Sequence, residues 1–141
     1  MDKHKFFTPL RVRFVETDQQ GHVFFGNYLT YFDEGLTQYK HAIGCTYQDC
    51  LKQGVDFFYI HTECDYKSRA YFEDVLNIHT RVGAIGNSSV TFEFQVIKAH
   101  NDELVATGKI VAVFVDPRTN KPVRAPEFFR QAVAEYENRN E

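Results

Sequence analysis

The chain has 141 residues, of which 43% are hydrophobic and 16% aromatic, and a formal net charge of −3. This length suffices for one domain with its own core, and the acidic balance provides no basic field that would attract nucleic acid or anionic lipid. The N-terminal residues are polar, and no apolar run approaches the length of a membrane span. We therefore expect a cytoplasmic protein without membrane insertion or a nucleic-acid partner.

The predicted elements begin with a strand over residues 10–15, where apolar side chains alternate with two arginines. A polar, turn-forming segment at 17–21 follows. From Asn27 the apolar residues recur at three- and four-residue spacing, which predicts a long helix that Asn27 caps and Gly44 ends. A short second helix is predicted over 47–52.

The remainder is predicted to form four strands and a terminal helix. Apolar runs, several of them strictly alternating, mark the strands, and turn residues separate them. The predicted strands are 57–66, 75–82, 90–97 and 104–115, and the predicted terminal helix is 125–136. A strand, a long helix and then four strands in a meander predict one α+β domain over residues 1–141, with the helix across a curved antiparallel sheet.

The segment best suited to chemistry joins the first strand to the long helix. It contains the carboxylate of Asp18 and the imidazole of His22, both within ten residues of the predicted helix N-terminus. Backbone N–H groups there are unpaired and lie at the positive end of the helix dipole, which suits an oxyanion. From the residues alone, a plainer interpretation is favoured, in which Asp18 caps a turn and His22 lies at the surface.

The three cysteines, Cys45, Cys50 and Cys64, lack the spacing of a metal site. In a reducing compartment we expect them to be free thiols. Neither a metal nor another cofactor is predicted.

Several stretches resemble the 4-hydroxybenzoyl-CoA thioesterase family, including its Tol-Pal-associated acyl-CoA thioesterase branch. They are residues 11–18, 21–23, 27–29, 65–76 and 115–122. The resemblance rests on the order of these stretches and on their spread over nearly the full length of the chain. It implies the hotdog fold, in which a sheet wraps one helix, a homodimer whose subunits pair edge to edge with active sites at their interface, and assembly into a homotetramer.

The resemblance also implies an acyl-CoA thioesterase with Asp18 as its catalytic carboxylate, acting as a nucleophile or as a general base. It places the oxyanion donor at the backbone N–H of Phe25. His22 matches a Gly-His-Val variant of the wider superfamily, and we expect it to orient the loop or the thioester. Many relatives have Tyr-His where this chain has Phe24-Phe25, so a supporting histidine is absent at that place.

Further residues are expected to contact the acyl-CoA substrate. Lys67 and Arg69 are the cations nearest to the place where some relatives hold the CoA phosphates. Asn27 and Tyr28 stand at the helix start. Aromatic residues are expected to wall the acyl pocket and to favour a medium- or long-chain or aromatic acyl group; these are Phe24, Phe25, Phe32 and residues 57–59.

Two other functions fit the same fold, because fold alone does not define a reaction. Hotdog hydratases and dehydratases act on acyl thioesters through a histidine paired with an acidic residue or asparagine, and His22 is the candidate here. A non-catalytic scaffold that binds acyl thioesters is the second alternative. The presence of Asp18 argues against the scaffold, since a pure binder needs no carboxylate beside a thioester.

Overall fold

The computed structural model describes residues 5–138, which form a five-stranded antiparallel sheet with a long helix packed across it. A 3₁₀ turn at Phe14–Glu16 follows the first strand. The elements in chain order are β1 (Phe6–Arg11), α1 (Asn27–Ala42), α2 (Tyr47–Lys52), β2 (Asp56–Tyr66), β3 (Val75–Ile85), β4 (Ser89–Lys98), β5 (Leu104–Val115) and α3 (Glu127–Glu137).

The strands are ordered β1-β3-β4-β5-β2 across the sheet. Strands β3, β4 and β5 form the predicted meander, but β2 crosses to the far edge and pairs with β5. The prediction of a four-strand meander is therefore wrong for β2. Alternation in a sequence reports which face a strand buries, whereas the choice of neighbour depends on contacts between distant segments.

Helix α1 buries one face against the sheet. Its apolar residues recur at helical spacing, and the buried ones include Tyr28, Phe32, Leu36 and Tyr39. The ring of Phe32 is fully buried and stacks on Phe94 with centroids 4.6 Å apart. Phe32 is thus a core residue, and its prediction as a wall of the acyl pocket is wrong.

The segment before α1 departs from its prediction. Strand β1 ends at Arg11, so the strand predicted over 10–15 is wrong beyond that residue. Helix α1 begins at Asn27 as predicted, but its N-cap is Gly26, and Asn27 is the first helical residue. Between β1 and α1, a 3₁₀ turn stands where the strand was predicted to continue, and in this turn Glu16 points inward.

No helix within residues 5–138 is long and apolar enough to cross a membrane.

Candidate functional site

The loop between the 3₁₀ turn and α1 is a compact turn held by its own backbone. The N–H of Asp18 donates to the carbonyl of His22 at 3.0 Å, and the N–H of Gly21 donates to the carbonyl of Asp18 at 2.9 Å. Gly21 has a φ of +88°, a conformation that costs glycine nothing because it has no Cβ. Thr17 and Val23 form an antiparallel bridge at the base of the loop. The glycine of the predicted motif thus allows the turn that presents Asp18.

The carboxylate of Asp18 is half-buried. Its Oδ1 accepts a hydrogen bond from the backbone N–H of Gln20 at 2.8 Å, the geometry of an Asx turn. Asp18 therefore does cap a turn, as the plainer interpretation expects. Among residues 5–138 no group donates to its second oxygen, Oδ2, so that oxygen is available to a substrate or a water.

The start of α1 presents unpaired backbone donors. The N–H groups of Phe25 and Gly26 donate to no acceptor within the described chain. The carbonyl of Phe25 accepts a hydrogen bond from the hydroxyl of Tyr66 at 3.0 Å, which orients the peptide that follows. Both N–H groups lie at the positive end of the α1 dipole, where they can stabilise a negatively charged oxygen.

The imidazole of His22 is held within the loop. Its Nδ1 lies 3.1 Å from the carbonyl of Val23, and its Nε2 lies 3.1 Å from the side-chain amide oxygen of Gln20. Both partners are oxygens that accept, so a neutral imidazole donates to one of them at a time, and the two oxygens hold the ring in the loop. The ring contacts no carboxylate among the described residues.

A cavity of about 380 Å³ lies between this loop and the end of β2. Its walls bring together five of the predicted site residues: His22, Phe25, Tyr28, Lys67 and Arg69. Both cations lie on exposed chain just beyond β2, so they bring positive charge to the cavity mouth. The remaining wall residues are Gln20, Val23, Tyr66 and Ser68.

Tyr28 is the buried polar group of this cavity. Its side chain is 3% exposed, and its ring contacts the ring of Tyr66 with centroids 5.5 Å apart. Burial raises the pKa of Tyr28 to about 12. The hydroxyl is therefore protonated at neutral pH and can donate a hydrogen bond.

Three predicted site residues lie outside the cavity walls. Asp18 precedes the wall residue Gln20 by two positions. Phe24 is 45% exposed, and its ring lies 4.7 Å from that of Phe25. Asn27 Nδ2 donates to the backbone carbonyl of Glu16 at 2.8 Å, so its side chain supports the loop.

Sequence reasoning missed Glu16 and Tyr66. Glu16 is buried and accepts hydrogen bonds from Arg13 and Tyr31. The signal for Glu16 was a carboxylate three residues after an arginine and directly before Thr17-Asp18. Tyr66 gave no local signal, because its contact with Phe25 joins segments that are 41 residues apart.

Cys45 and Cys50 do not line this cavity. Cys45 and Cys50 are buried, and burial raises the pKa of both thiols, that of Cys45 to about 11. Protonated thiols are poor nucleophiles. No group of three or more His, Cys, Asp or Glu side chains in the described part of the chain is placed to hold a metal ion.

Solved structures show the fold to which this architecture belongs, the hotdog fold. A 1,4-dihydroxy-2-naphthoyl-CoA thioesterase from Synechocystis matches with a TM-score of 0.86 and 17% identity over 94% of this chain and 98% of its own, which shows the fold. The PA5185 protein of Pseudomonas aeruginosa matches with a TM-score of 0.84 and 30% identity, covering 94% of this chain and 91% of its own. The predicted α+β hotdog fold is confirmed.

The chain belongs to the Thioesterase-like superfamily, whose sequence profile matches residues 12–133. The acyl-CoA thioesterase YbgC of Haemophilus influenzae is 27% identical over 128 residues, which are 90% of this chain and 93% of that protein. The predicted thioesterase family and the predicted enzyme class, a thioester hydrolase, are confirmed. The Tol-Pal branch stays a prediction.

Proposed function

We propose that the protein hydrolyses acyl-CoA thioesters to a carboxylic acid and free CoA in the cytoplasm. The observation that carries the proposal is the cavity wall at Phe25, where unpaired N–H groups lie at the start of α1 beside the cations Lys67 and Arg69. A thioester presents an oxygen that becomes negative during hydrolysis and a nucleotide that is already negative. The cavity offers a donor for the first and positive charge for the second.

The proposed reaction begins with the thioester carbonyl oxygen at the N–H of Phe25. Asp18 then attacks the carbonyl carbon to give a mixed anhydride, or removes a proton from a water that attacks it. In the first route the carbon–sulfur bond breaks as the anhydride forms, and water then hydrolyses the anhydride, which restores the Asp18 carboxylate. In both routes water supplies the hydroxyl of the acid and the proton that the departing thiolate takes up. Each oxyanion donor is worth about 3–4 kcal/mol in such reactions, so the loop geometry matters as much as the carboxylate.

The two ends of the cavity have different proposed ligands. Lys67 and Arg69 bind the phosphates of CoA at the exposed mouth. The aromatic surfaces of Phe25, Tyr28 and Tyr66 contact the acyl group, which favours a medium- or long-chain or aromatic acyl-CoA over a short one. His22 holds the loop between these ends.

A homodimer paired through β2 is part of the proposal. Strand β2 is a long edge strand whose centre exposes Phe58, Tyr59 and Ile60 by 45%, 40% and 61%. Exposed apolar edge strands are usually covered by a partner. Because Tyr66 ends β2 and also lines the cavity, a second copy on β2 would lie beside the site and complete it. A homotetramer would join two such dimers.

The contacts of His22 do not support the hydratase alternative. Those enzymes need a base paired with an acidic residue or asparagine, whereas both nitrogens of His22 contact Gln20 and Val23.

The experiment that tests the proposal compares Asp18→Asn with Asp116→Asn. Asparagine keeps the Oδ1 acceptor for the Gln20 N–H, so the loop turn is retained while the carboxylate is lost. Asp116 is a matched control, because its Oδ1 caps the same kind of turn, accepting from the Arg118 N–H at 2.8 Å. Thiol release is measured with short, medium, long and aromatic acyl-CoAs.

We expect Asp18→Asn to lose activity by about 100-fold or more, the scale of a lost acid–base or nucleophilic group, while Asp116→Asn keeps wild-type rates. Equal rates in all three proteins would mean that Asp18 only caps its turn. A wild type that binds acyl-CoAs and releases no thiol would instead support the binding scaffold.

A further inference from the structure

The 3₁₀ turn before the loop exposes its apolar side chains and buries its charged one, which is the reverse of ordinary hydrophobic burial. Phe14 and Val15 are 74% and 83% exposed, whereas Glu16 is 7% exposed. An exposed apolar pair and a buried carboxylate cost free energy relative to the reverse arrangement. The contacts of Glu16 offset this cost, and such local exceptions are expected at functional sites.

The carboxylate of Glu16 joins the turn to helix α1. Its Oε1 accepts from the backbone N–H of Arg13 at 3.0 Å and from the hydroxyl of Tyr31 at 2.8 Å. Its Oε2 accepts from Arg13 Nε at 2.7 Å and also from Arg13 Nη2. Tyr31 lies in the second turn of α1, so this carboxylate ties the chain before the loop to the helix after it.

Glu16 is charged in this setting. Burial raises the pKa of its carboxyl, but the hydrogen bonds from Arg13 and Tyr31 and the charge of Arg13 lower it further, so the pKa lies below its ordinary value. A charged acceptor makes stronger and shorter hydrogen bonds than a neutral one.

The backbone of Glu16 holds the far end of the same loop. Its carbonyl accepts from the N–H of Phe24 at 2.9 Å and from Asn27 Nδ2 at 2.8 Å. Asp18 lies within the loop that these contacts close, and Phe25 lies between the two donors. One residue therefore contacts both sides of the segment that carries the carboxylate and the N–H group.

We propose that Glu16 is a positioning residue that fixes the Asp18 carboxylate relative to the N–H of Phe25. This inference rests on the proposed thioester hydrolysis. Glu16 is buried and both of its carboxylate oxygens already accept hydrogen bonds from Arg13 or Tyr31, so it acts through the loop and not on the substrate. In enzymes, a displacement of about 1 Å between reacting groups can cost about 100-fold in rate.

The test uses Glu16→Gln and, as a milder change, Tyr31→Phe. Glutamine has the length of glutamate but carries no charge and has one acceptor oxygen in place of two, so it cannot accept on both sides, from the Arg13 guanidinium and from the Arg13 N–H with the Tyr31 hydroxyl. Tyr31→Phe deletes one hydrogen bond and leaves the Arg13 contacts in place. The matched control is Glu93→Gln, a carboxylate on β4 that also pairs with an arginine, accepting from Arg81 Nη1 at 2.5 Å, and that lies outside the cavity walls.

We expect Glu16→Gln to lower kcat by about 10- to 100-fold with KM changed less than about threefold. Tyr31→Phe should lower kcat less, and Glu93→Gln should leave it unchanged. In an Asp18→Asn background the added Glu16→Gln should cost less than about threefold, because without the carboxylate its placement no longer matters. If the two losses in activity multiplied fully in the double variant, the inference would be overturned. A Glu16→Gln protein that loses thermal stability but keeps a normal kcat would overturn it as well.

Hydrogen exchange separates this inference from the proposed reaction. Amides of residues 17–26 should exchange faster in Glu16→Gln than in wild type, while those of β4 keep their protection. If wild type releases no thiol, the proposed reaction fails, and exchange still decides whether Glu16 holds the loop. Unchanged exchange across 17–26 would contradict its positioning role.

Discussion

At the scale of single residues, the proposed function assigns binding and chemistry to different residues of the cavity. Lys67 and Arg69 lie at its mouth, and the N–H of Phe25 lies at the start of α1. A phosphate contact is made equally in the ground state and in the transition state, so it contributes to KM and not to kcat. The two cations should therefore be separable from Asp18 by kinetics.

We predict that Lys67→Gln and Arg69→Gln each raise KM for an acyl-CoA about fivefold and leave kcat within about twofold. An exposed charge pair contributes up to about 1 kcal/mol, which is about fivefold in affinity, and the effect should shrink as salt screens it. The measurement compares an acyl-CoA with the same acyl group on N-acetylcysteamine, which has no phosphates. Lys52→Gln, on the exposed side of α2, is the control.

The phosphate-free thioester makes this prediction specific. Both variants should hydrolyse it as wild type does, because the lost charges have nothing to contact. An equal rise in KM for the two substrates would show that the lysine and arginine shape the acyl end of the cavity instead.

At the scale of elements, the close approach of α1 to β3 positions the site. Gly35 faces the sheet, where an added Cβ would lie 2.6 Å from Ile78 Cγ2 and 2.6 Å from Thr80 Oγ1. Neither neighbour is the end of a long flexible side chain. The helix can therefore reach this depth only with glycine at that position, and the N-terminus of α1 is set by the same contact.

We predict that Gly35→Ala destabilises the protein by about 1–3 kcal/mol, the usual cost of an overpacked core. The gain in helix propensity from glycine to alanine, about 1 kcal/mol, offsets only part of the clash. Thermal unfolding measures the change, and Thr37→Ala on the exposed face of α1 should be neutral or slightly stabilising. A Gly35→Ala protein as stable as wild type would mean that α1 can shift away from β3 without loss.

The elements also show what the sequence could predict. Helices α1 and α2 and strands β3 to β5 lie within a few residues of their predictions, because one buried face produces their periodicity. The strand predicted over 10–15 fails because Phe14 continues its alternation and yet faces solvent, while Glu16 turns inward. Hydrophobic pattern cannot reveal a residue that is buried for its hydrogen bonds.

In the candidate site, too, some features were predictable from the sequence and others were not. The helix start and the glycine turn were predictable from local residue types, and the cations Lys67 and Arg69 were placed by resemblance. Tyr66 could not be predicted, because its contact with Phe25 depends on β2 ending beside α1. Such a contact can be predicted only once the order of the strands in the sheet is known.

At the scale of the whole molecule, the two edges of the sheet differ. Strand β1 is short and contains Pro9, features that blunt an edge against pairing. Strand β2 spans Asp56–Tyr66 and exposes most of its length. Since Tyr66 lines the cavity, covering β2 with a second copy would change both the assembly and the site.

We predict that Ile60→Lys converts the proposed dimer to a monomer of 16.4 kDa and lowers kcat/KM at least about tenfold. Ile60 is 61% exposed in the isolated protomer, so the lysine should leave the protomer fold intact while placing a charge in the paired edge. The matched control is Phe7→Lys on β1, where the side chain is 48% exposed. Light scattering gives the mass, and thiol release gives the activity.

The two readouts of Ile60→Lys test different parts of the proposal. A dimeric Ile60→Lys protein would place the subunit contact on a surface other than β2. A monomer with full activity would show that one chain holds the complete site, so the cavity beside Tyr66 would need no partner. We expect Ile60→Lys to be monomeric and to lose activity while Phe7→Lys is normal in both respects, because in the proposed dimer the second copy covers the exposed side chains of β2 and also closes the cavity.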